Sequence, residues 1–114
     1  MQLVNLTPHS LTLFTPQGVV ELPASGQLAR VRSTSEPAGE VLGMPVVRSS
    51  FEPVVGLPDP EPGKCYVVSS LVLAALRAEG RTRDDLLAPG TGPNDGAVRN
   101  SSNQVVGVTR LVAM

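Results

Sequence analysis

Proline and glycine interrupt this chain so often that no regular element can run far: there are eleven of each in 114 residues. Proline fixes φ and removes a backbone donor, while glycine reaches conformations closed to other residues. Short elements joined by tight turns are the expected result. The length fits a single domain, residues 1–114. With 41% apolar and 17% charged residues, the chain has the material for a packed core.

Periodicity then places the elements. Gln2–Leu6 reads as a first strand, and Thr7-Pro8-His9-Ser10 as a turn in which the proline holds Thr7 extended. Leu11–Thr15 alternates with period two, Pro16-Gln17-Gly18 turns the chain, and Val19–Leu22 returns as a hairpin. Leu28–Arg32 also alternates, which sets Leu28, Arg30 and Arg32 on one side and Ala29 and Val31 on the other. Ser33–Gly39 is polar and reads as a loop. Glu40–Arg48 reads as two short strands folded at Gly43, and Phe51–Val55 as another strand. Leu57–Gly63 carries three prolines and reads as a stiff connection.

Cys65-Tyr66-Val67-Val68 is the strongest strand, apolar throughout and therefore expected in the middle of a sheet, with Cys65 buried and inert. Ser69 or Ser70 caps the one clear helix, Ser70–Glu79, which presents Leu71–Leu76 as an apolar face and stops at Gly80. Ala97–Arg99 and Gln104–Val112 read as a closing hairpin. The expected class is α+β, mostly β: a small antiparallel or mixed sheet of short strands with one packed helix at about residues 70–79.

Charge and composition exclude several partners. Nine basic residues against ten acidic ones give a net charge of −1, without the basic balance expected of a nucleic-acid binder. Phe14, Phe51 and Tyr66 are too few for a base-stacking platform. The longest apolar run, Leu71–Leu76, is far short of the ~18 residues that cross a bilayer. Cys65 is alone, so no intrachain disulfide forms, and the first residues lack a signal peptide's pattern. The expectation is a cytoplasmic protein with neither membrane nor nucleic acid as partner.

The chemistry-bearing stretch is Arg83–Arg99, which holds two arginines, three aspartates, three glycines and two prolines. Read as one long loop, it is longer than an ordinary connection. Glycines allow backbone N–H groups to approach a ligand, and arginine matches phosphate geometry. Arg83, Asp84, Thr91, Asn94, Asp95 and Arg99 are the candidate ligand contacts. The alternative is an ordered surface loop in which Asp84 and Asp85 start a turn or pair with Arg81 and Arg83. Asn5, Thr7 and His9 alternate along an extended segment and form a second polar face; the alternative there is a capped turn.

No catalytic residue, metal ligand or cofactor is assigned. Cys65 and His9 are the only members of a conceivable nucleophile–base pair, and Cys65 lies in an apolar strand. A zinc site needs about four N or S ligands, more than one cysteine and one histidine supply. Gly90-Thr91-Gly92-Pro93 lacks the Gly-Lys-Ser/Thr ending of a phosphate loop.

Asn5-Leu-Thr-Pro-His9, Gly43-Met-Pro-Val-Val-Arg48 and Tyr66-Val-Val-Ser-Ser-Leu-Val72, followed by Arg83-Asp84 and a late Val-Arg hairpin, resemble a family of short bacterial and tailed-phage proteins that open with this Asn-Leu-Thr-Pro-His motif. The resemblance extends over nearly the whole chain. It implies a small cytoplasmic accessory protein, often virus-linked, and carries no site residue over. With the arginine-bearing stretch, it gives the leading expectation: a non-catalytic module that recognises a phosphorylated or nucleotide-like small molecule, sequestering a host immune signal for a phage. The alternatives are a protein-binding inhibitor or structural accessory protein, and a small metal-assisted hydrolase built on Asp84, Asp85, Asp95 and His9. Exposed strand edges favour a homo-oligomer.

Overall fold

Cys65, Tyr66 and Val67 run through the interior of a four-stranded sheet, where a strand apolar on both sides belongs. The computed structural model describes residues 1–114. In chain order its elements are β1 (Gln2–Asn5), β2 (Leu11–Thr15), β3 (Gly18–Leu22), β4 (Ser33–Val41), β5 (Met44–Phe51), β6 (Lys64–Val67), α1 (Ser70–Ala78), β7 (Leu86–Pro89), β8 (Val98–Arg99), β9 (Val105–Gly107) and β10 (Leu111–Ala113). The main sheet has the order β1-β6-β7-β10. β1, β6 and β7 are parallel, with Val4 opposite Tyr66 and Tyr66 opposite Leu86, and β10 closes the sheet antiparallel to β7. The expected class holds: α+β, mostly β, with a mixed sheet and one helix.

Parallel neighbours need a crossover, and α1 supplies it between β6 and β7. Ser69 caps its start, its Oγ accepting the Val72 N–H at 3.3 Å. Gly80 ends it at φ +73, a conformation other residues reach only with strain. There the Gly80 N–H donates to the Arg77 carbonyl and the Arg81 N–H to the Leu76 carbonyl, the paired bonds of a Schellman cap. Val72, Leu73 and Leu76 pack with Leu6, Tyr66, Val68, Leu86 and Ala88 in one core cluster. Each large side chain buried there contributes about 1.5–3 kcal/mol.

Three hairpins surround this core. β2–β3 forms as expected, and β2 is tied to the chain beside β9: the Phe14 N–H donates to the Val108 carbonyl at 2.9 Å, and the Val108 N–H to the Thr12 carbonyl at 3.0 Å. Gly107 permits the contact, since a Cβ there would lie 2.2 Å from the Phe14 ring. The other two hairpins are β8–β9 and β4–β5. β4–β5 is a long arm whose residues are all exposed. It gives the molecule a 54 Å long axis and a radius of gyration of 16.5 Å, against about 13 Å for a compact domain of this length.

Several expected boundaries move. Ser33–Gly39 is strand, not loop, because β4 faces water on both sides and has no buried side to impose an apolar alternation. The turn near Gly43 stands, but the strands it joins are longer than expected. Leu28–Arg32 and Phe51–Val55 meet at an Arg30–Val55 bridge and a Glu52–Arg32 backbone bond instead of forming full strands, although Phe51 ends β5. The Arg83–Arg99 stretch is not one loop: Leu86–Pro89 is β7, inserted between β6 and β10. The expected strand at Gln104–Val112 divides into β9 and β10, and β10 pairs with β7. Cys65 is half-buried, not buried, because the apolar run sinks into the core only from Tyr66 onward.

Candidate functional site

β7 separates the residues expected to share a ligand. Arg83 and Asp84 precede it, and Thr91, Asn94, Asp95 and Arg99 follow it. Four residues of strand put roughly 13 Å between the two groups. At the near end, Arg83 Nε and Nη2 donate to the two carboxylate oxygens of Asp85 at 2.9 and 2.6 Å, and Nη1 donates to the Pro58 carbonyl at 2.8 Å. Both side chains of the pair are only 11% exposed. The hydrogen bonds from Arg83 hold the Asp85 carboxyl below its usual range, and those to Asp85 raise the Arg83 guanidinium above its own. Asp84 stays exposed.

Beyond β7 the chain folds upon itself. Asp95 Oδ2 accepts the Gly92 N–H at 2.8 Å, and Thr109 Oγ1 donates to the Gly96 carbonyl at 3.0 Å. Arg99 reaches the Asn103 carbonyl at 3.0 Å and the Thr91 carbonyl at 3.5 Å. Thr91 and Asn94 are exposed. Four of the expected residues therefore share this loop, which is held largely by its own polar groups.

Asn5, Thr7 and His9 form the capped turn. Asn5 is 1% exposed, and its Nδ2 donates to the His9 carbonyl at 2.8 Å and the Leu22 carbonyl at 3.1 Å. Its Oδ1 accepts the Thr7 N–H at 2.9 Å and the Thr7 hydroxyl at 2.6 Å. The Asn5 side chain thus fastens the exit of β1 to the end of β3. His9 contributes its carbonyl and lies exposed. This turn and the 90–99 loop both follow the carboxyl ends of parallel strands, and a cleft of about 180 Å³ lined by Ser10, Thr12, Pro89, Thr91 and Val106 lies between them. It contains no basic side chain.

The unengaged cations lie elsewhere. A cleft of about 300 Å³ at the root of the arm is lined by Arg30, Val31, Arg32, Glu52, Pro53 and Val55. Its floor is backbone: the Arg30 N–H donates to the Val55 carbonyl at 2.9 Å, the Val55 N–H to the Arg30 carbonyl at 2.8 Å, and the Glu52 N–H to the Arg32 carbonyl at 2.8 Å. Gly56 lets the two segments close, since a Cβ there would lie 2.0 Å from the Leu28 carbonyl oxygen and its φ is +87. Arg30 and Arg32 are exposed, and neither guanidinium is held by a carboxylate or a carbonyl; the three ion pairs of the chain are Lys64–Glu61, Arg81–Glu79 and Arg83–Asp85. The alternation of Arg30 and Arg32 was legible in the sequence. Their convergence with Glu52 and Val55 was not, because it depends on a pairing across the whole arm.

No three of the His, Cys, Asp and Glu side chains converge, and no helix is long and apolar enough to cross a membrane. Comparison with family models, curated proteins and solved structures finds no match for this chain.

Proposed function

We propose that this protein is a non-catalytic binding module whose Arg30–Arg32 cleft takes a small phosphorylated, nucleotide-like molecule. The observation that carries the reading is the pair of unengaged guanidinium groups lining one cleft. Arginine presents a planar fork of donors that matches phosphate oxygens. Pro53 and Val55 offer apolar contact to the rest of such a ligand, and Glu52 offers an acceptor for a hydroxyl. Arg83 and Arg99 already use guanidinium donors within the chain, which moves the proposed grip from the 83–99 segment to the arm root. Sequestration suits this site better than turnover, because no nucleophile–base pair adjoins the arginines.

Calorimetric titration against linear and cyclic nucleotides tests the reading. The wild type releases or takes up heat with at least one of them. Arg30→Ala and Arg32→Ala each weaken that binding roughly 10- to 150-fold, the equivalent of one charge-assisted hydrogen bond. Lysine at either position restores little, since an ammonium lacks the planar fork. Absence of heat with every nucleotide, or unchanged affinity in both alanine variants, rejects the proposal.

A further inference from the structure

The β4–β5 arm has no partner within its own chain. Every residue from Ser33 to Phe51 is exposed, along strands of nine and eight residues. A two-stranded hairpin standing alone in water is marginally stable, and its free edges invite pairing. The cross-strand Thr34–Ser50 hydroxyl contact of 2.8 Å is a weak fastening for such a length.

The tip is unusual for a solvated turn. Leu42 and Gly43 both have positive φ, +52 and +77, as the central residues of a two-residue hairpin turn of this hand require. Asparagine, aspartate or glycine normally fills the first of these positions, and a leucine there is disfavoured by its own backbone. Leu42 is nevertheless 94% exposed, with Val41 at 56% and Met44 at 61% beside it. The tip therefore combines an unfavourable conformation with unburied apolar surface.

The same chain carries a receptor of matching character. Leu13, Phe14, Pro16, Val108 and Leu111 line an apolar hollow of about 250 Å³, with Arg110 at its side. Arg110 forms no ion pair, and neither does Glu40, two residues before Leu42. A nine-residue strand spans about 30 Å, long enough to reach a second molecule.

We propose that two copies of this chain exchange arms about a two-fold axis. The Val41-Leu42-Met44 tip of each enters the apolar hollow of the other, and Glu40 meets the partner's Arg110. A second copy is the occupant because knob, hollow and opposite charges all reside on one chain, so a two-fold pairing satisfies each of them twice. This inference stands apart from ligand binding at Arg30 and Arg32.

Sedimentation or light scattering of the full chain at tens of micromolar reads the mass directly. The wild type is expected at twice the 11.9 kDa chain mass. Leu42→Asn suits the turn and removes the knob, and should return the mass to that of one chain. Glu40→Arg or Arg110→Glu should each raise the dimer dissociation constant at least about tenfold by setting like charges together, and the double reversal should restore it. A monomeric wild type overturns the inference. So does a dimer that Leu42→Asn leaves intact, or one for which the double reversal is no better than the singles.

Discussion

Arg83 and Asp85 form a two-pronged ion pair, with hydrogen bonds of 2.9 and 2.6 Å, at the entry to β7. The remaining Arg83 contact, to the Pro58 carbonyl, fastens the proline-rich connection before β6 to the same point. An arginine that looks like a ligand grip in the sequence is thus a clamp between two stretches of its own chain.

Arg83→Ala should therefore lower stability by about 1.5–3 kcal/mol, because it leaves a mostly buried carboxylate without its partner. Removing Asp85 as well should add less than Asp85→Ala costs alone, since the two act as a unit. Urea denaturation of the single and double variants measures both effects. Simple additivity would mean that the pair carries no coupling.

The pair also has an acid signature. Asp85 is held below its ordinary value of 3.8, so its contribution is complete above that pH and is lost as pH falls through the lowered folded value. Arg83 is raised, so its contribution is present throughout the working range and is lost only at extreme alkaline pH. As pH falls below the ordinary value of 3.8, the wild type should lose more stability than Asp85→Asn. Parallel acid profiles for the two would contradict this.

Asn5 is a structural residue by the same reasoning. Asn5→Ala removes donors to two carbonyls and the acceptor for the Thr7 N–H, a loss of about 1–3 kcal/mol for each group left buried and unpaired. Asn5→Asp should cost more at neutral pH, because it turns an oxygen toward those carbonyls. Thermal melts compare the three proteins, and a melting temperature unchanged in Asn5→Ala would show the turn to be held otherwise.

Helix α1 gives a sharp contrast between its two faces, and Leu71 falls outside the apolar face expected of Leu71–Leu76. Leu76 is fully buried and Leu73 2% exposed, whereas Leu71 is 47% exposed. Leu76→Ala should cost about 2–5 kcal/mol, and Leu73→Asp or Leu76→Asp should unfold the chain. Leu71→Asp should leave it folded. Circular dichroism during denaturation distinguishes these outcomes.

The central elements were readable because buried apolar runs and caps are local. Cys65–Val68, Ser69 and Gly80 mark β6 and α1 with residues adjacent in sequence. β7 was missed because Leu86, Leu87 and Ala88 form a short apolar run among charges, glycines and prolines, and only its neighbours β6 and β10 make it a strand. The tip of the arm was read as strands folded at Gly43, but Ser33–Gly39 was missed for the opposite reason: β4 buries nothing, so no periodicity betrays it. The candidate cleft depends on the arm, since Arg30 and Arg32 meet Glu52 and Val55 only after the arm has formed.

The most direct measurement of the binding claim is an amide chemical-shift map of the full chain titrated with a nucleotide that gives heat in calorimetry. The account predicts saturable shifts concentrated at residues 30–32 and 52–55, abolished in the Arg30→Ala, Arg32→Ala double variant. Shifts concentrated instead in the 83–99 segment, or a map unaltered by the double variant, would contradict it.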